Sequence, residues 1–112
     1  MLIYKILTAE QWTKLDRDGQ TSGAPIDLSD GYIHFSTAAQ AAETAAKHFA
    51  GQEGLILAAV EADDLGEQLR WEPSRGGALF PHLYAPLQRS SVKWAKPLPL
   101  DSAGAHQFPA LS

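Results

Sequence analysis

Three short stretches of the sequence concentrate side chains that can move protons or hold anions: Tyr32 to Thr37, Trp71 to Gly77, and Phe80 to Tyr84. In the first, an extended backbone places Tyr32, His34 and Ser36 on one face, with Ile33 and Phe35 on the other. The trio leads directly into a helix N-terminus, whose free N–H donors suit a phosphate or carboxylate. The plainer reading is a solvent-facing strand in which Ser36 or Thr37 caps the helix. In the second, Glu72 at a strand end can serve as a general base or fix a sugar hydroxyl, and Arg75 in a glycine loop can reach an anion. An exposed Glu72–Arg75 turn pair is the structural alternative, and it contributes little. In the third, His82 and Tyr84 share a face, and both donate and accept hydrogen bonds. A pocket common to His34 and His82 is the hypothesis these stretches support together, with Trp71 among its binding residues. The alternative makes the Trp71–Tyr84 block a packing unit, in which His82 satisfies buried backbone groups.

Other chemistries fit less well. His34, His82 and Glu72 could supply metal ligands, but no H-x-x-x-H or H-x-E spacing organises them, so no metal is expected. Ser36 lacks the G-x-S-x-G elbow of serine hydrolases. The glycines at 76 and 77 do not complete a phosphate-cradling loop. The sequence has no cysteine, which excludes a thiolate nucleophile and sulfur-based zinc sites.

The elements that must position these groups follow from periodicity. Leu2 to Leu7 reads as a strand, and Thr8 with Gln11 forms a capping box for a helix carrying Trp12 and Leu15. Gly19 to Gly31 reads as a loop. Tyr32 to Ser36 is a strand, and Thr37 with Gln40 opens a helix from about Ala38 to Phe49 whose apolar face is mostly alanine. Leu55 to Val60, six apolar residues in succession, is a central strand covered on both faces. A helical turn at Asp63 to Leu65, a strand from Gln68 to Glu72 and a last strand from Ser91 to Leu98 complete a single domain over residues 1–100, followed by a poorly ordered tail over 101–112. The order predicts an α+β fold with a mixed, mostly antiparallel sheet and two main helices packed on it.

With 112 residues, 9 basic and 13 acidic side chains and a net charge of −4, the chain is one domain without the basic field that selects nucleic acid. No apolar run is long enough to span a bilayer, and the start has neither the length nor the cleavage site of a signal peptide, so a cytoplasmic protein with no membrane partner is expected. Oligomeric state is not readable.

Ile3 to Ile6, Gly31 to Thr37 and above all Trp71-Glu72-Pro73-Ser74-Arg75-Gly76-Gly77-Ala78-Leu79-Phe80-Pro81-His82-Leu83-Tyr84 resemble the small bacterial family named domain of unknown function 952, over nearly the whole chain. More distantly, Gly31 to Thr37 is similar to the second strand of the ADP-ribosyltransferase superfamily. That resemblance implies a fold of that type and NAD as a cofactor or substrate. It puts His34 where one branch has a tyrosine against nicotinamide, and Ser36 and Thr37 on the Ser-Thr pair of another. The first strand departs from it, with Tyr4-Lys5 where the superfamily has His-Gly or Arg-Gly. Two functions follow. One is an enzyme acting on NAD, ADP-ribose or a related phosphorylated molecule, with Lys5 and Arg75 on phosphate, Ser36 and Tyr84 lining the cleft, and His34, His82 and Glu72 catalytic. The other is a non-catalytic module that binds a metabolite or a protein.

Overall fold

A computed structural model describes residues 1–74 and 76–111. Strands β1 (Leu2–Thr8), β4 (Leu55–Glu61) and β8 (Val92–Leu98) form one antiparallel sheet with β4 in the middle. A second antiparallel sheet has β6 (Ala78–Leu83) between β3 (Ile33–His34) and β5 (Leu69–Ser74). A two-residue pairing joins β2 (Gln20–Thr21) to β7 (Leu87–Gln88). Every pairing among the described residues is antiparallel, and the architecture is α+β.

Period-two alternation explains why β4 is buried from Leu57 to Val60 on both faces. Leu55, Leu57 and Ala59 join Tyr4 and Ile6 in a cluster completed by Ala45 of helix α3 (Ala38–His48). Ala58 and Val60 join Ile3 and Leu7 in another, with Leu15 of helix α1 (Ala9–Asp18). The two long helices therefore cover opposite faces of the first sheet, and a strand between them has no solvent side. Alanines at 41 and 45, both fully buried, let α3 lie close to that sheet. Phe108 and Leu111 pack against the α3-side cluster.

Both helix starts take the expected form. Thr8 Oγ1 accepts from the Gln11 N–H at 3.1 Å, and Gln11 Oε1 accepts from the Thr8 N–H at 2.9 Å. At α3, Gln40 Oε1 accepts from the Thr37 N–H at 3.0 Å.

The Gly19–Gly31 segment is not the structureless loop its composition suggests. It contains β2 and a short helix, α2 (Pro25–Asp30), which starts on Pro25 and ends on Gly31 at φ 87°. Proline at the first helical position and glycine just past the last are the two signals that six residues leave room for. The Tyr32–Ser36 strand is also shorter in ladder terms than its alternation suggests. Only Ile33 and His34 pair with β6; the chain then crosses to the first sheet, where Ser36 exchanges backbone hydrogen bonds with Tyr4 at 2.8 and 2.9 Å. This crossing segment ties the two sheets together and carries His34 and Ser36 between them.

Candidate functional site

The centre of the site is a residue whose type gave no warning in the sequence. Asp27, on α2, is 1% exposed, and its carboxylate is satisfied by four donors. Oδ2 accepts from Lys5 Nζ at 2.8 Å and from the Ala24 N–H at 2.7 Å. Oδ1 accepts from the His34 N–H at 3.1 Å and lies 2.6 Å from His34 Nδ1. Burial pushes the Asp27 carboxyl up, but the His34 hydrogen bond, the Lys5 charge and the Ala24 N–H outweigh it and hold the group down at about 2. The Lys5 ammonium, itself buried, is pushed down by desolvation, with Asp27 opposing the shift. The loop before α2 must come close to achieve this. A Cβ on Gly23, where φ is +106°, would sit 2.5 Å from Asp27, so only glycine fits there.

His34 is held on both sides: Nδ1 by Asp27, and Nε2 at 3.0 Å from Asp30 Oδ2. A carboxylate only accepts, so each contact calls for a ring N–H. Tyr32 lies over both histidines, with ring centroids 4.6 Å from His34 and 4.1 Å from His82, the latter stacked. The two imidazoles are 5.5 Å apart, edge to face.

His82 is part of a second chain of hydrogen bonds. Its Nδ1 lies 2.8 Å from Glu72 Oε1, which also accepts from the Tyr84 hydroxyl at 2.7 Å. The β5–β6 pairing sets this geometry, with Glu72 opposite Phe80 and Arg70 opposite His82. The hydrogen bonds from Tyr84 and His82 lower the Glu72 carboxyl, and the same bond raises the Tyr84 phenol. With Nδ1 facing Glu72, Nε2 is the ring nitrogen left over, and no other side-chain hydrogen bond of His82 occurs among the described residues.

His34 and His82 line one cleft of about 420 Å³, together with Lys5 and Ser36. Tyr4, Phe35 and Phe80 give it apolar walls, the mixed lining usual for small-molecule sites. Ser36 Oγ is 2.8 Å from Thr44 Oγ1 at its α3 side. Glu72 touches the site through His82, while Tyr84 lines a separate depression of about 260 Å³ beside Tyr32. Trp71 is 39% exposed, and its partner across the ladder is Pro81. Arg75 lies outside the described residues. The structure thus brings Lys5, His34, Ser36 and His82 into one cleft, sets Glu72 and Tyr84 behind it, and leaves Trp71 apart. Asp27 and Tyr32 complete the group. The readable sign of Asp27 was its place two residues after Pro25, where a short helix favours an acidic side chain. Among the described residues, no group of three or more His, Cys, Asp and Glu side chains is arranged to hold a metal ion.

Residues 6–95 match the family described as "Protein of unknown function (DUF952)". The chain belongs to this family. The crystal structure of protein CC0527 from Caulobacter crescentus superimposes with a TM-score of 0.92 at 53% identity, covering 96% of this chain and 94% of that one. Its solution NMR structure gives a TM-score of 0.86 at 54% identity, covering 95% and 91%. No curated protein matches. No helix among the described residues is long and apolar enough to cross a membrane.

Proposed function

We propose that the histidine cleft of this DUF952 protein binds and acts on NAD, ADP-ribose or a related phosphorylated small molecule. The observation that carries the reading is the pair of imidazoles 5.5 Å apart in one cleft, each backed by a carboxylate at its Nδ1. His82 is the acid–base residue: Glu72 fixes its tautomer, and Nε2 takes the proton of a water or hydroxyl nucleophile. Lys5 is engaged by Asp27, so its role is to hold α2 and His34 in place. The apolar walls of Tyr4, Phe35 and Phe80 suit a heterocycle, and the likeness of Gly31 to Thr37 to the ADP-ribosyltransferase strand favours a nicotinamide-type one.

Titration calorimetry and thermal melting with NAD and with ADP-ribose test this. Millimolar ligand is expected to raise the Tm, as any ligand of the native state does, and His82→Ala is expected to abolish product formation while ligand still binds. Binding without turnover in the unaltered protein would favour a metabolite-binding module instead. An unchanged Tm with both ligands would overturn the reading.

A further inference from the structure

A second cleft, of about 490 Å³, adjoins the first at Lys5. It shares Lys5, Gln11 and Ala24 with the histidine cleft, so the two are neighbours across one wall. Its floor is core: Leu7, Ile33 and Leu87 are almost fully buried, whereas Leu28 on its lining is 62% exposed.

Three donors line it that, among the described residues, give their hydrogens to no side chain or backbone group. Thr8 Oγ1 already accepts from the Gln11 N–H, and Thr21 Oγ1 accepts from the Gly23 N–H at 3.1 Å, so each hydroxyl has its hydrogen left to give. Lys14 also lines the cleft, one turn along α1 from Gln11 and Glu10. Its standing is unusual in this molecule. Lys5, Arg17, Lys47, Arg89 and Lys93 pair with carboxylates, and Arg70 and Lys96 lie over aromatic rings. Among the described residues, Lys14 is the lysine or arginine with neither, and its charge also acts on the nearby Asp18 carboxyl. Glu10 sits on the same lining, which confines an anion to the Lys14, Thr8 and Thr21 side.

We propose that this second cleft is an anion subsite that takes a phosphate or carboxylate carried on an apolar or aromatic body. The body covers Leu28 and the Leu7–Ile33–Leu87 floor, and the anion receives the Lys14 ammonium and the two threonine hydroxyls. The same chemistry can come from the distal part of a ligand seated in the histidine cleft or from a separate second substrate. The subsite does not depend on what the histidine cleft binds.

The probes are adenosine monophosphate and adenosine, which share a body and differ by the phosphate, followed through backbone amide shifts. Adenosine monophosphate is expected to shift Thr8, Thr21 and Gly23 and to bind about tenfold more tightly than adenosine. Lys14→Glu, at an exposed helix position, is expected to erase that difference, and Lys14→Arg to keep it. Equal affinity of the two probes, or shifts confined to Ser36 and His34, would overturn the proposal. With NAD added, displacement of adenosine monophosphate shows one ligand spanning both clefts, and simultaneous binding shows two ligands; either result upholds the subsite. Failure of NAD to bind while adenosine monophosphate still shifts Thr21 would refute the reading of the histidine cleft alone.

Discussion

The two histidine–carboxylate pairs are built in opposite senses. In Asp27–His34 the carboxylate is fully buried and the imidazole is 31% exposed; in Glu72–His82 the imidazole is 3% exposed and the carboxylate 33%. A buried charge must be paid for with partners, and Asp27 has four, drawn from β1, the loop before α2 and the crossing segment. Removing any part of that set leaves charge stranded in the interior. Glu72 can lose a partner to water at little cost, so its pair is free to serve the ring rather than the fold. The difference separates a residue that holds the site together from one that can be tuned for chemistry, although a sequence shows each simply as an acid some residues from a histidine.

The sharpest way to break this comparison is Asp27→Ala. It leaves the Lys5 ammonium buried without its counter-charge, and an equilibrium denaturation series is expected to lose about 3–5 kcal/mol of stability. A loss no larger than that of a surface substitution would put the two pairs on the same footing.

A smaller effect separates the pairs by pH. The folded Asp27 carboxyl lies at about 2 against an ordinary 3.8, so the native state binds fewer protons than the unfolded chain through that interval. Its contribution, about 2 kcal/mol, is present in full above the ordinary value and is lost as pH falls through about 2. Unfolding midpoints of the unaltered protein and Asp27→Asn, followed from neutral pH downward, are therefore expected to converge only in this acid window. A gap that closed near neutral pH would assign the stabilisation to another group.

The smallest effect on stability, and the most informative about chemistry, is expected from Tyr84→Phe. It removes one hydrogen bond from a partly exposed carboxylate, so the melting temperature should hardly move. On the proposed function, turnover of NAD or ADP-ribose is nevertheless expected to slow, with a larger fall in kcat than rise in KM, because Glu72 then orients His82 without its second anchor. A large drop in Tm with no kinetic change would make the Tyr84–Glu72–His82 chain structural.

Much of the framework was legible. Leu55 to Val60 announced a central strand because six apolar residues admit no wet face, and Thr8 with Gln11 announced a helix start because each side chain caps the other's backbone. The alternation that set His34 and Ser36 on one face, opposite Ile33 and Phe35, agrees with both lining one cleft. The burial of Asp27 was not legible, since a first-turn acid flanked by Ile26 and Leu28 in a Gly/Pro/Ser-rich stretch looks like surface until Lys5 and His34 arrive from elsewhere in the chain. Nor was β2, whose two residues pair with Leu87 and Gln88 and are too few for any period to show.

The sequence by itself determined the local decisions: which segments alternate, where helices begin, and that chemistry must use histidine, hydroxyl and carboxylate in a chain without cysteine. The tertiary structure alone decided which acid serves which histidine. Ion pairing and desolvation depend on distances between residues far apart along the chain, 22 positions for Lys5 and Asp27 and 10 for Glu72 and His82, and on the water that packing excludes between them.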